Sequence, residues 1–297
     1  MLFDRQKQLL ALVNAHGGEV GGMDFQKLLL LYCLDAGEKP PYEFVPYKFG
    51  GFSFTSYADK RRLIERKLLA DDDRSWKLTP AGRNADIAEF IHRQMSLFAA
   101  NHKGLQGDEL VAATYRRYPY YAIRSEIAER LLAGDASAMA AIENARPTAS
   151  QPGLCTIGYE GRSLEGYLNL MIRNGVTVLC DVRKNPLSRK YGFSKNTLLK
   201  GCEGVGIRYE HLPELGIASE ARRELKTQAD YDALFDVYSR VNLPKNENAL
   251  RKIGGWIKQG ERVALTCYER LPEQCHRHCV ADELERIFGN LFAPHHL

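Results

Sequence analysis

The stretch Leu154–Arg183, LCTIGYEGRSLEGYLNLMIRNGVTVLCDVR, decides the fold of the C-terminal half. LCTIGY is a short apolar run, the pattern of a buried strand. Ser163 offers an N-cap hydroxyl, apolar residues then recur at helical spacing, and Gly175 ends the segment. VTVLCDVR is again a buried strand and closes on charged residues. Strand, helix and strand in this order make a βαβ unit, which implies a parallel sheet. Farther on, ALRKIGGWIKQG reads as a helix, RVALTCYE as a third strand with its charged end at the C-terminal side, and ADELERIFG as a closing helix. The expected class is α/β, a mostly parallel sheet with flanking helices over residues 151–297. Open parallel sheets bind ligands beyond the carboxyl ends of their strands. The candidate site therefore falls on residues 158–162, 181–189 and 267–277.

Upstream, Leu9, Leu10, Leu12 and Val13 stand at helical spacing, and His16-Gly17-Gly18 stops that helix. Asp24 is expected to cap a second helix, FQKLLLLYCLD, apolar all round and hence buried. Tyr42–Phe54 alternates aromatic and polar residues and breaks at Gly50-Gly51. A charged helix follows near Ser56–Leu69, then a turn at Asp71–Asp73 and a short strand around Trp76. Three helices followed by a hairpin with a charged tip is the order of a winged helix, expected over residues 1–95. In such a fold Lys60, Arg61, Arg62, Arg66 and Lys67 would meet DNA phosphates, with Arg74 on the wing tip. Winged helices also serve as protein–protein modules, and this segment carries 14 basic against 13 acidic side chains. DNA is the preferred reading. Residues 96–150 read as a helical connector in which Asp108 caps a helix, Pro119 breaks it and RPTASQPG forms a linker. Tyr115, Tyr118, Tyr120 and Tyr121 are expected to pack this connector onto its neighbours.

The whole chain has 297 residues, 44% hydrophobic and 26% charged, with a net charge of +4. That is the composition of a globular protein and excludes disordered, collagenous and coiled-coil classes. No run approaches the roughly 20 apolar residues of a membrane span. The opening MLFDRQKQLL, with Asp4 and an amphipathic pattern, is not expected to act as a secretory signal. Seven cysteines, an odd number spread along the chain, make no disulfide framework and suit a reducing cytoplasm.

The three strand ends differ in chemistry. In TIGYEGRS, Gly158 and Gly161 allow a tight turn with amides open to an anion. In DVRKNPLSRKYGFSK the loop from Arg183 to Lys200 holds six basic residues and no acid, launched from a strand end directly behind Asp181. That suits a phosphate cradle built from Arg183, Arg189 and Lys195 with Ser188 between them. In ALTCYERLPEQCHRHCV, Cys267, Cys275, His276, His278 and Cys279 crowd together. These are zinc-type ligands, but their spacing fits no paired-cysteine pattern. Adjacent Cys275 and His276 are not expected to aim at one centre, so no metal is expected. A nucleophilic thiolate at Cys267 or Cys275 is a further possibility. Between these segments GIRYEHLPELGI supplies Tyr209 and His211.

Four phrases in order from Thr156 to Leu284, TIGYEGRSLEGYLNLM, VLCDVRKNPLSRKYGFSK, GIRYEHLPELG and ALTCYERLPEQCHRHCVA, resemble the domain of unknown function 488 family. The resemblance implies a small α/β protein. Its motif positions fall on Gly158, Asp181, Arg183, Ser188, Arg189, Lys195, Tyr209, His211, Gly216, Cys267, Glu269, Cys275, His276 and Arg277. Some members are similar also in a winged-helix-like N-terminal region and a connector of the YRRYPYYAI type. His278 and Cys279 lie outside the pattern. The family name carries no activity, so the resemblance implies a fold and a site, not a reaction.

No glycine-rich dinucleotide fingerprint and no GK[ST] loop is present, so neither NAD nor ATP is expected and no cofactor is assigned. Cations on a strand rim imply an anionic, phosphorylated substrate; carboxylates beside them imply activated water or a stabilised cation. The expected function is an enzyme acting on double-stranded DNA, hydrolysing at a nucleotide. Base removal at the N-glycosidic bond is preferred over phosphodiester cleavage, because it needs no metal cluster. Asp181 or Glu269 would activate water, with His211 and His276 as further catalytic groups. Arg183, Ser188, Arg189, Lys195 and Arg277 would hold phosphates beside Gly158, and Tyr159 or Tyr209 would stack on the extruded base. DNA repair or defence against foreign modified DNA, such as that of phage, would suit this design. The alternative is a winged-helix regulator that senses a phosphorylated metabolite or nucleotide. A third reading is a thiol-dependent transferase using Cys267 or Cys275.

Overall fold

The computed structural model describes residues 2–35, 40–148, 151–222, 225 and 227–297. They fall into two compact units, Met1–Arg146 and Pro147–Leu297. Among the described residues no helix is long and apolar enough to cross a membrane.

The first unit runs α1 (Asp4–Ala15), β1 (Glu19–Gly21), α2 (Gly22–Asp35), β2 (Val45–Tyr47), β3 (Gly50–Phe52), α3 (Phe54–Glu65) and β4 (Ser75–Lys77). It continues through α4 (Pro80–Arg83), α5 (Glu89–Asn101), α6 (Gly107–Arg117), α7 (Ala128–Leu131) and α8 (Ala136–Asn144). β1 pairs antiparallel with β4, and β2 with β3. A bridge between Leu69 and Leu78 closes a hairpin whose tip is Asp71–Arg74. From Phe25 to Cys33 α2 is buried all round because α1, α5, α6 and strands β1, β3 and β4 enclose it. Trp76 stacks on Phe25 with centroids 3.7 Å apart and anchors the hairpin to that core.

Three expectations are corrected here. α2 starts two residues before Asp24, whose carboxylate instead accepts the amide of Gly107. Asp108 caps nothing and pairs with Arg130 at 2.6 Å. The separate connector is part of the first unit: α5 spans its expected boundary at residue 95, and α6 packs on α2. Its tyrosines do pack inward, with Tyr115 buried and Tyr118 and Tyr121 against the core.

The second unit runs β5 (Gly153–Gly158), α9 (Leu164–Arg173), β6 (Val178–Asp181), α10 (Lys195–Gly204), β7 (Arg208–His211), α11 (Gln228–Val237), α12 (Glu247–Lys258), β8 (Arg262–Cys267), α13 (Arg277–Phe288) and β9 (His295–His296). Its sheet has the order β7-β6-β8-β5-β9, and every pairing is parallel. Ser163 caps α9 as expected, accepting from Gly166 at 2.9 Å. β5 and β6 are buried throughout, which is why they read as apolar runs without alternation. On one face Val178, Cys180, Val263 and Leu265 pack with Leu250 and Ile253 of α12 and with Val280 and Leu284 of α13. On the other face Tyr167 of α9 donates to Thr266 of β8 at 2.7 Å, and α10 packs beside α9. The central strands thus lie between two helical layers.

This topology fixes where a ligand can enter. The chain leaves β6 for α10 on one face and leaves β8 for α13 on the other. Two neighbouring strands whose exits diverge open a crevice at their carboxyl ends. That crevice lies between Asp181–Asn185 and Cys267–His276.

Candidate active site

A pocket of about 140 Å³ occupies the crevice, lined by Tyr159, Arg183, Lys184, Asn185, Leu187, Ile217, Cys267, Tyr268 and His276. The sequence singled out Tyr159, Arg183, Cys267 and His276. Lys184 and Asn185 could have been added as the next residues of the β6 exit loop. Ile217 carried no signal; it arrives because Gly216 passes so close to Lys184 that a Cβ would sit 2.1 Å from the Lys184 amide.

Asp181 does not face the pocket. It is fully buried, and its carboxylate accepts from Arg183 Nε (2.8 Å), Arg183 Nη2 (2.5 Å), the Arg183 amide (3.1 Å) and Tyr209 Oη (2.7 Å). A carboxylate so engaged cannot also take a proton from water, which corrects its expected catalytic role. It positions Arg183. Burial works against charge on that guanidinium, but the hydrogen bonds and charge of Asp181 outweigh it and raise the Arg183 pKa. Nη1 of Arg183 donates to Tyr159 Oη (3.0 Å) and the Phe193 carbonyl (2.8 Å). Arg183 therefore reaches the pocket as a rigid cation.

The two tyrosines are corrected with it. Tyr159 is stacked on Phe193 at 4.4 Å and has the Arg183 guanidinium beside its ring, so no base can stack there. Tyr209 clamps Asp181, and burial followed by the Asp181 charge raises its pKa.

Both histidines are oriented by the same strand exit. His276 Nε2 lies 2.9 Å from the Val182 carbonyl, and His211 Nε2 lies 2.9 Å from the Arg183 carbonyl. A carbonyl only accepts, so each Nε2 carries the proton and each Nδ1 is left as an acceptor. His211 Nδ1 takes a hydrogen bond from Lys195 Nζ at 3.3 Å; it supports the loop and lines no part of the pocket. His276 Nδ1 faces Cys267 Sγ at 3.7 Å. The thiol is also within donating reach of the Glu269 carboxylate, at 3.6 Å from Oε2, so two acceptors, His276 Nδ1 and Glu269, face its one proton. Cys267 ends β8, directly in the crevice.

Cys275 stands close by and is fully buried; burial, then the neighbouring Cys267, pushes its thiol well up. The donor atoms of Cys267, Cys275 and His276 all lie within 4.8 Å of one another. Adjacent Cys275 and His276 do converge, against expectation, because the residues turn into α13 at this point. This set has the chemistry that zinc takes, with a carboxylate oxygen of Glu269 3.6 Å from Cys267 Sγ. His278 and Cys279 point elsewhere and line a separate hollow with Asp282 and Glu283.

The remaining rim residues are structural. Gly158 makes no anion nest: a Cβ there would stand 1.9 Å from the Glu269 carbonyl, so the glycine lets the β8 exit loop cross β5. Arg277 is buried, and its guanidinium donates to the Glu269 and Arg270 carbonyls, holding that loop instead of a phosphate. Ser188 accepts from the Lys190 amide and is laced to Ser194. Lys190 donates to the Tyr159 carbonyl. Arg189 is exposed on the same loop, and Lys195 is exposed at the start of α10.

In the first unit the expected phosphate contacts divide. Arg61, Arg66, Lys67 and Arg74 are exposed. Arg62 leans on the buried Asp59 at 3.6 Å. Lys60 is buried and donates to the Asp72 and Ser75 carbonyls at 2.7 Å each, so it holds the hairpin and meets no phosphate.

Residues 163–284 match the model of a family described as domain of unknown function DUF488. No curated protein and no solved structure matches the chain.

Proposed function

From a C-terminal unit that carries a DUF488 domain over residues 163–284, we propose a thiol-dependent hydrolase acting on a phosphorylated position of nucleic acid. One observation carries it: Cys267 Sγ stands at a strand end, on a pocket, 3.7 Å from the acceptor nitrogen of a histidine whose other nitrogen is fixed by a backbone carbonyl. Nucleophile, base and orienting group in series are the parts of covalent catalysis. His276 Nδ1 takes the Cys267 proton as the sulfur attacks phosphorus. An S–P bond forms, the ester P–O bond breaks, and the leaving oxygen takes the proton back from His276. Water then attacks the phosphocysteine and gives a proton to His276; the S–P bond breaks, phosphate leaves, and His276 returns the proton to the sulfur. Arg183 and Lys184 face the negative oxygens throughout.

The first unit supplies the grip on nucleic acid in this reading. Taken as the winged helix that its sequence suggests, the unit would present the exposed Arg61, Arg66 and Lys67 at the end of α3 and Arg74 on the hairpin tip. Replacing these four by alanine should flatten the salt dependence of duplex binding, by about 0.9 in log–log slope for each phosphate no longer neutralised.

Base excision stands as a second reading, favoured by Glu269. That half-buried carboxylate remains beside the pocket once Asp181 is sealed away. The two readings separate on one substrate set: duplexes with terminal phosphates and duplexes with modified bases. Phosphate release abolished by Cys267→Ser and retained in Glu269→Gln supports the thiol route. Strand breakage that needs alkali and survives Cys267→Ser supports base excision. A protein that leaves every duplex unchanged contradicts both.

A further inference from the structure

The first unit contains a second pocket, of about 370 Å³, that the thiol chemistry does not use. It opens between the start of α2, the β2–β3 hairpin, α3 and the hairpin tip. Its walls are aromatic. Phe52 is stacked between Tyr47 (5.0 Å) and Tyr57 (5.1 Å), and Phe49 stands 43% exposed. Lys27 lines the pocket although the residue is only 2% exposed, and its ammonium donates to the Gly51 carbonyl at 3.1 Å. Arg74 is exposed and also belongs to the lining.

A buried lysine is costly without acceptors, and an apolar residue would pack here more cheaply. An ammonium has three donors, and one carbonyl meets only one of them. Burial accordingly pulls the Lys27 pKa down to about 7. Gly50, with φ +91°, is held as glycine by the Tyr115 ring, which a Cβ would meet at 2.5 Å, so the hairpin lies tightly over this lysine. Aromatic walls and an inner donor select for a planar ring with acceptor atoms on one edge, and at the mouth, where Asp73 also lines the pocket, Arg74 supplies the cation for an anionic group.

We propose that this pocket binds a single nucleobase of a nucleotide, its acceptor edge on Lys27, its ring against the exposed Phe49, and its phosphate on Arg74. The volume suits one ring system, near the lower end of small-molecule pockets. Aromatic rings stack on any base, and lysine with arginine then sets the orientation. The site is independent of Cys267, so loss of thiol chemistry leaves it standing.

The test is a calorimetric titration of the full chain with the four ribonucleoside monophosphates, the matching nucleosides and inorganic phosphate. At least one monophosphate should bind saturably. Phe49→Ala, a surface change, should weaken it at least about tenfold. Arg74→Ala should weaken the monophosphate by a similar factor while leaving the nucleoside unchanged. Lys27→Met should weaken both, with circular dichroism as the check on folding. The proposal is overturned if no monophosphate saturates by about 5 mM, if phosphate alone displaces it fully, or if Phe49→Ala and Arg74→Ala bind like the parent. Phosphate release, measured in parallel on Phe49→Ala, reports on the Cys267 reading separately.

Discussion

His211 and His276 donate to consecutive carbonyls: His211 Nε2 to Arg183 and His276 Nε2 to Val182, each at 2.9 Å. One strand exit thereby sets the tautomer of both rings, yet only His276 turns its Nδ1 toward a thiol. His276→Ala should lower turnover by about 10²–10⁴-fold, the usual range for a lost general base. His211→Ala leaves the Arg183 carbonyl without that donor and should cost about 1 kcal/mol of stability with a smaller loss of rate. Parallel kinetics and urea titrations of the two variants separate base from support.

Asp181→Asn should behave as a stability mutant first. It leaves the buried Arg183 cation without its counter-charge, which typically costs about 3–5 kcal/mol. A thermal or urea midpoint unchanged from the parent would restore Asp181 as a candidate base.

Gly158 and Gly161 sit in one turn and make opposite predictions from those of a phosphate nest. A methyl at Gly158 would collide with the Glu269 carbonyl, whereas one at Gly161 meets nothing within 4 Å and faces only its φ of +73°. Gly161→Ala should cost about 1–2 kcal/mol. Gly158→Ala should cost more and displace Glu269. The measurement is the denaturation midpoint of each.

Lys27 predicts a pH dependence of stability. Folded Lys27 releases its proton near 7, with Asp24 opposing the effect of burial, whereas an unfolded lysine holds it to about 10.5. Between those values the unfolded chain binds the extra proton, so stability from this group rises with pH, by at most about 1.4 kcal/mol per unit. Urea midpoints at pH 7 and 9 should show a rise that Lys27→Met removes.

The sequence carried the sheet because β5, β6 and β8 are buried on both faces and so appear as uninterrupted apolar runs. It carried the crevice because strand ends obey topology. β9, only two residues long, left no periodicity to read. Roles at the rim were less legible. Asp181, Arg277 and Gly158 have the residue types of a catalytic site, but burial and backbone crossings, which depend on partners more than eighty residues away for Gly158 and on the α13 turn for Arg277, make them structural. Lys60 misled for the same reason: its charge is visible in sequence, while the carbonyls of Asp72 and Ser75 that consume it are not.

Cys267 stands at the centre of this account as an activated thiol. All seven cysteines are buried and outside any disulfide, so the other six serve as internal controls. Brief treatment of the native protein with iodoacetamide, followed by peptide mapping, should label Cys267 at least about tenfold faster than the others, and His276→Ala should erase the difference. Labelling of Cys267 no faster than its neighbours, or only after a chelator has removed an equivalent of zinc, would contradict the account.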